Sequence, residues 1–459
     1  MLESKLTSNI AGVDNVRMLG RFFVSALKTL MDRENIAKRR NKGLNINDSL
    51  FNFVKLTFLE NAVLKYRRMV QFGDQVVLDS TFPPFPSKAF DKRIMNYVNN
   101  LDMKEVPTGI VSISTTNCCP YSCPFCSTNA RRVTSSDLDE ELLKVTITAV
   151  EEMGVPSIIL HGGEPMYRYD RFLRLVKHVN SDTCLWMFTS GYGVTQERAD
   201  ELKQNGLFGV WVSLDHFVPD VHNSFRGSPK AFDRACEAIK FFKRAGVYTC
   251  LSLVPPDDLL KPENFIKYYD LAKSLGVAEI RVMEKKPSGR EADRGVLAHS
   301  PLLANLQKKL YADPRYANHP PLSGLSTWLE KDQALGCQCR FEYLFITSTG
   351  DVQPCEVSEV TFGNIKEESF QTIYSRISKS FSRCSTGCIP MVMFPEIREY
   401  QKDRPRMSYL EKTDRAAKII EGFQEKGSIP GAYSPIWSYY EKRLKLFHKR
   451  QAAKQNRID

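Results

Sequence analysis

Cys119-Pro-Tyr-Ser-Cys123-Pro-Phe-Cys126 sets three thiols in a C-x3-C-x2-C loop. Three thiolates at this spacing can hold three irons of a cubane [4Fe–4S] cluster. The fourth iron then lacks a protein ligand and is open to chelation by a small molecule. Tetrahedral zinc is the rival, but it usually takes a second C-x2-C or Cys/His pair, and none lies nearby. The tight spacing also speaks against three incidental core cysteines. A β-rich run, Gly109–Ser114, precedes the loop and places it at the carboxyl end of a strand.

The chain has 459 residues, 42% apolar and 25% charged, an ordinary globular composition with room for more than one domain. A signal-peptide pattern is missing from its start. Twelve cysteines clustered unevenly at 118–126 and 337–388 therefore point to metal ligation in a reducing, cytoplasmic compartment, not to a disulfide framework. Cys184, Cys236 and Cys250 stand alone in periodic segments and read as core residues. Cys118 is expected to face away from the loop's ligands, because neighbouring residues alternate direction. Apolar runs are all too short for a spanning helix. Net charge is +11, and the tail from Lys442 to Arg457 carries seven Lys or Arg and no acid, which suits an anionic partner.

Residues 1 to about 75 read as helical. They include a very apolar stretch at 50–64, suited to core packing or to a membrane interface. Thr81-Phe-Pro-Pro-Phe-Pro86 marks a boundary. From 108 to 310, β-rich runs at Gly109–Ser114, Ser157–Leu160, Cys184–Thr189, Gly209–Leu214, Val247–Val254 and Glu279–Met283 alternate with helical patterns. Six β-α repeats predict an α/β fold in which a parallel sheet curls into an open or closed barrel. Ligands of such sheets bind at the carboxyl ends of the strands. Expected units are 1–107 (helical), 108–315 (barrel), 316–392 (small and cysteine-bearing) and 393–459 (helical and basic).

Further motifs fall at strand ends. His161-Gly162-Gly163-Glu164-Pro165 follows the second strand, Thr189-Ser190-Gly191 the third, and Val212-Ser213-Leu214-Asp215 the fourth, running on through His222, Phe225 and Arg226. Glycines let a backbone approach a ligand closely, Glu164 suits an ammonium group, and a guanidinium such as Arg226 matches a carboxylate. Together with the cysteine loop, and Phe125 before its last cysteine, this set resembles the radical S-adenosylmethionine (SAM) enzymes over about residues 108–390. The resemblance implies a partial (βα)6 TIM-like barrel that reductively cleaves SAM to a 5′-deoxyadenosyl radical and modifies an unactivated C–H position. It implies that Cys119, Cys123 and Cys126 hold the cluster. Phe125, Gly162, Gly163, Glu164, Pro165, Ser190, Ser213, Asp215 and Arg226 would contact SAM, with Glu164 on its amino group. His216 departs from the glycine usual in the subfamily and is either a pocket-floor residue or a structural one. Arg281–Arg290 resembles the closing strand that faces substrate, with Glu284 either a substrate contact or an ordinary charge.

Phe345-Ile-Thr-Ser-Thr-Gly-Asp-Val-Gln-Pro-Cys355 reads as a β-hairpin that delivers a cysteine. With Cys337, Cys339 and Cys384-x3-Cys388 it resembles the SPASM/twitch extension of these enzymes. That resemblance implies one auxiliary [4Fe–4S] cluster on Cys337, Cys339, Cys355 and Cys388, with Cys384 in reserve; structural zinc is the alternative.

Catalytic side chains are not readable from the sequence. An electron donor such as ferredoxin or flavodoxin is implied. A lipid or membrane-borne substrate would explain the apolar stretch and a tail stripe of Trp437, Tyr440, Leu444 and Phe447, and would place the protein peripherally at an anionic membrane surface. A peptide substrate is the alternative; a non-enzymatic iron–sulfur scaffold is a further one. Nucleic acid is weakly supported, because the basic tail lacks interleaved aromatics.

Overall fold

Strand β1 (Ser8–Ile10), β2 (Met69–Phe72) and β3 (Gln75–Val77) form a small antiparallel sheet in the computed structural model, ahead of α1 (Lys88–Val98), which the Ser87 hydroxyl caps. The described residues are 69–100, 105–132, 136–293, 336–429 and 434–455. Short pieces lie at 8–10, 41–42, 305–306, 309–310, 313–316 and 322–323, with single positions at 24, 31, 37 and 44. The apolar stretch 50–64 lies outside them. Where helix was expected up to about residue 75, β2 and β3 pair across a turn at Gly73 instead.

Six parallel strands follow in order: β4 (Ile110–Ser114), β5 (Ser157–His161), β6 (Cys184–Thr189), β7 (Leu207–Ser213), β8 (Tyr248–Leu253) and β9 (Glu279–Val282). Between them run α2 (Glu140–Glu152), α3 (Tyr169–His178), α4 (Gln196–Gln204), α5 (Pro219–Arg226), α6 (Ala231–Arg244) and α7 (Pro262–Leu275). Local chemistry sets their ends: Asp139 and Thr195 cap α2 and α4, and left-handed Gly227 and Gly276 stop α5 and α7. Two flanking strands join the sheet, β10 (Leu322–Ser323) beside β9 and β11 (Tyr343–Ile346) parallel to β4. The hairpin partner of β11 is β12 (Val352–Gln353). The expected division at 315/316 therefore runs through one continuous nine-stranded sheet.

Period two sorts the strand residues into two cores. Val111, Ile113, Leu160, Met187, Val212, Leu251 and Ile280 face the helices. Ile159, Cys184, Trp186, Trp211, Tyr248, Cys250 and Phe345 fill the barrel. Trp186 and Phe188 both stack on Trp211, at 4.1 and 4.5 Å between ring centroids, while Phe72 of β2 packs edge-on against Tyr248 at 5.2 Å. Among the described residues the amino-terminal hairpin thus packs against one end of the barrel, and the main cavity lies at the other.

Beyond β12 come α8 (Phe370–Ser380), α9 (Ile389–Val392), α10 (Phe394–Asp403), α11 (Tyr409–Lys426) and α12 (Ser434–Gln455). A Ser408–Glu411 capping box starts α11. On α12, Phe447 is 2% exposed and packs with Leu444 on Leu44. That part of the stripe read as a membrane contact is core packing. Among the described residues no helix is long and apolar enough to cross a membrane.

Candidate active site

The cysteine loop leaves β4 and is pinned before it reaches its first ligand. Asp137 accepts from the Thr116 hydroxyl (2.5 Å) and the Asn117 N–H (2.8 Å), and the Cys119 N–H donates to Arg131 O at 2.7 Å. Cys119, Cys123 and Cys126 all line a cavity of about 210 Å³ at the carboxyl ends of the strands. Cys118 is buried outside it, where its sulfur accepts from Arg168 at 3.3 Å. Burial, helped by the Glu164 carboxylate, pushes the Cys119 thiol up to about 12, and burial raises Cys123 as well. Thiolates this desolvated persist only beside cations, which suits Cys119 and Cys123 as iron ligands.

Gly162 and Gly163 lie in the cavity wall because the cysteine loop leaves no room for a side chain. A Cβ on Gly162 would stand 2.2 Å from Thr116 O, and one on Gly163 2.2 Å from Cys118 O. Gly163 N–H and Glu164 N–H donate to those same carbonyls at 2.7 and 2.8 Å. Glu164, expected on an ammonium group, has a second task in holding neighbouring strands together. It is 1% exposed, is not among the cavity-lining residues, and accepts from Thr189 Oγ1 (2.8 Å), Ser190 N (2.7 Å), Ser190 Oγ (2.5 Å) and Met166 N (3.1 Å). Burial raises its pKa. The carboxylate ties the end of β5 to the end of β6 and sets Ser190 in the cavity wall. Pro165 is buried and begins a single 3-10 turn.

Ser213, Phe125 and Arg226 line the cavity, whereas Asp215 is fully buried behind it. Arg226 Nε meets Asp215 Oδ2 at 2.5 Å, and the other Asp215 oxygen accepts from Val254 N at 2.9 Å. The Asp215 N–H donates to His222 Nδ1 (3.1 Å), so that nitrogen carries no proton, and burial holds His222 down at about 4. Arg226 also lies over the Phe125 ring at 5.0 Å, and Phe125 stacks on Phe225 at 4.2 Å. His216 is not a floor residue: it is buried on Phe217, with Nε2 3.1 Å from Asp258. Glu284 lines the cavity and pairs with Lys286 at 2.7 Å.

Arg290 was missed as a site residue. Its Nη1 donates to Cys123 O at 2.6 Å, its Nη2 to Ala130 O, and its N–H to Cys126 O at 3.1 Å. Gly289 beside it has φ +56°, and a Cβ there would stand 2.2 Å from Cys126 O. The segment after β9 thus clamps the loop after β4 across the open side of the barrel. Only the fold reveals this contact; the residues are 167 apart in sequence.

The second cysteine set gathers beside β11. Cys339 hydrogen-bonds with Cys337 and Cys355, and these contacts together with burial raise its thiol pKa. Cys337 N–H donates to Ser385 O at 2.8 Å, which brings the Cys384–Cys388 segment alongside. Cys384 and Cys388 are both buried, Cys388 at the start of α9. Glu356 and Val357, directly after Cys355, line the main cavity.

Residues 113–275 match the Radical SAM superfamily, and residues 337–388 match SPASM, an iron–sulfur cluster-binding domain. The chain thus carries a radical SAM domain and, toward its carboxyl end, a SPASM domain. It is an enzyme, with [4Fe–4S] clusters and SAM as its cofactors. An AdoMet-dependent heme synthase of Oleidesulfovibrio alaskensis is 24% identical over 306 residues, 61% of this chain and 78% of that protein. A PqqA peptide cyclase of Streptomyces rochei is 28% identical over 261 residues, 54% of this chain and 69% of that one. The structure of Streptococcus suis SuiB bound to precursor peptide SuiA superposes with TM-score 0.50 at 16% identity, covering 62% of this chain and 69% of that one. That likeness bears on the fold.

Proposed function

We propose that this radical SAM enzyme modifies an unactivated C–H position of a peptide held between the barrel mouth and the SPASM hairpin. The observation that carries the reading is the composition of the cavity, where the three-cysteine loop, the Gly162-Gly163 turn and Glu356–Val357 of the SPASM unit share one wall system. Cys119, Cys123 and Cys126 would hold the SAM-binding cluster. Cys337, Cys339 and Cys355, with Cys384 or Cys388, would hold an auxiliary one. When bound, the cluster and SAM supply a one-electron reductive cleavage that gives methionine and a 5′-deoxyadenosyl radical able to take hydrogen from carbon. The chain's own part is to bind, orient and exclude water. Ser190, Ser213 and Arg226 offer polar contacts to SAM from the ends of β6, β7 and α5, Phe125 gives an apolar face, and the Arg290 clamp and the hairpin cover the mouth. A small acidic one-electron donor of the ferredoxin or flavodoxin kind would serve it.

Peptide is favoured over lipid because the PqqA peptide cyclase relative acts on a peptide by its name, and because Phe447 of the tail packs on the protein itself. Anaerobically reconstituted enzyme with a reduced donor should release 5′-deoxyadenosine, faster when the cognate peptide is added, and the peptide mass should change. Stimulation by vesicle lipid and by no peptide would overturn the substrate class.

A further inference from the structure

We infer that Arg281 is the receptor for a carboxylate carried by the substrate, an inference that rests on the radical SAM reading above. On β9, Arg281 stands in register with Ser252 of β8, and Ser252 follows in line with Ser213 of β7. Both serines line the main cavity. The Arg281 side chain points into the barrel just below that cavity, with its guanidinium 5.0 Å from the Trp211 ring centroid and 5.7 Å from that of Phe188.

Arg281 is 5% exposed, and its Nε and Nη1 have no hydrogen-bond partner among the described residues. Buried charges are normally paired, and nearly all buried polar groups are satisfied, so such a cation in an aromatic barrel needs a partner from outside the chain. Neither nearby acid supplies it. Glu279, two residues back on the same face, accepts from the N–H and hydroxyl of Ser80. Glu356 accepts from Ser127 at 3.1 Å and from Tyr343 at 3.5 Å. No ion pair to Arg281 forms among the described residues.

Trp211 Nε1, on a ring the guanidinium lies over, is also unfilled, as is Nε2 of His161, which packs against the other ring, Phe188. His161 packs 6.0 Å from the Phe188 ring, and both line the cavity, so this polar cluster opens onto the bound-ligand space. The guanidinium and indole N–H groups can only donate. A ligand that satisfies them must be rich in acceptors and negative. A carboxylate fits the planar fork of an arginine, whose plane here is fixed by two rings. SAM also has a carboxylate at its methionyl end, so the test must separate the two sources.

The test uses the reconstituted two-cluster enzyme and fluorine NMR, with trifluoroacetate as the probe and trifluoroethanol as its uncharged counterpart. With saturating SAM, the wild type should broaden the trifluoroacetate line and leave trifluoroethanol sharp. Arg281→Met should lose the broadening, Arg281→Lys should keep part of it, and SAM affinity should stay within about two-fold of wild type. Arg281→Met should also be at least as stable as wild type, because it removes a buried charge that has no partner in the chain. A less stable Arg281→Met would make the guanidinium a structural group and overturn the inference. Broadening seen only without SAM, with SAM affinity about ten-fold weaker in Arg281→Met, would assign the site to SAM's own carboxylate and overturn the substrate assignment. A wild type that takes up iron and binds SAM yet leaves the fluorine line unchanged overturns this inference alone. One that takes up no iron overturns the radical SAM reading beneath it.

Discussion

Arg226 and Asp215 form a buried ion pair, Nε to Oδ2 at 2.5 Å, and the same guanidinium reaches the Cys123 sulfur at 3.8 Å. The end of α5 is thereby fastened to β7 on one side and to the cysteine loop on the other. The Arg226 carbonyl, which accepts from Ser122 N–H at 3.4 Å, adds to the hold.

Replacing Arg226 with Met leaves Asp215 buried without its cation. Loss of one partner of such a pair costs about 3–5 kcal/mol, which should appear as a lower denaturant midpoint in urea unfolding. The double variant Arg226→Met with Asp215→Asn should regain part of that loss. If it is no more stable than the single variant, the pair is not what fastens α5.

His222 should make stability depend on pH. Its folded pKa, about 4, lies below the ordinary histidine value, so between about pH 6.5 and 4 the unfolded chain binds the extra proton. Stability is therefore fully present above pH 6.5 and falls as pH drops to 4, by up to about 3 kcal/mol from this group. His222→Asn keeps an acceptor for the Asp215 N–H and removes the titration. Its stability should fall less than that of wild type over this range in parallel unfolding curves.

Iron content should separate the two cysteine sets. The wild type should take up about eight irons per chain after anaerobic reconstitution, and the triple variant of Cys119, Cys123 and Cys126 about four. Zinc in the triple variant, by elemental analysis, would replace the auxiliary cluster with a structural ion.

Arg290→Gln should loosen the loop without removing a ligand. It withdraws guanidinium donors from Cys123 O and Ala130 O, charge-assisted bonds together contributing about 3 kcal/mol. The SAM-binding cluster should then bleach faster with a chelator, followed by its visible absorption, while the auxiliary cluster keeps the wild-type rate. Arg290→Lys should be intermediate.

Much of this site was legible before the fold was known. The β-rich runs lie within about two residues of β4 to β9, because strands covered on both faces leave near-continuous apolar stretches. Cys119, Cys123, Cys126, Gly162, Gly163, Ser190, Ser213 and Arg226 announce themselves by spacing and by position after a strand, and one cavity gathers them. What stayed hidden depends on which way a side chain turns. Glu164 and Asp215 read as ligand contacts in sequence, and only the fold shows that their oxygens also accept from neighbouring strands. Arg281 and Arg290 bound a segment that resembles a substrate-facing strand, and only barrel curvature carries one inward and the other across to the cysteine loop. Residues 69–77 did carry a signal, valines around Gly73-Asp74, that fits a hairpin better than a helix.

The pairing of β11 with β4, Tyr343 to Ile110 through Ile346 to Ile113, bears on modularity. The SPASM unit does not hang from a hinge; it supplies the strand that covers the barrel's first edge. Cutting the chain before residue 336 would bare the backbone groups of β4 and the apolar face behind Phe345, an edge ready to pair with another copy. The unit cannot be exchanged as a cassette among barrels that end in a different register. Any distance between the two cysteine sets is fixed by the sheet itself, as rigidly as two rungs of one ladder.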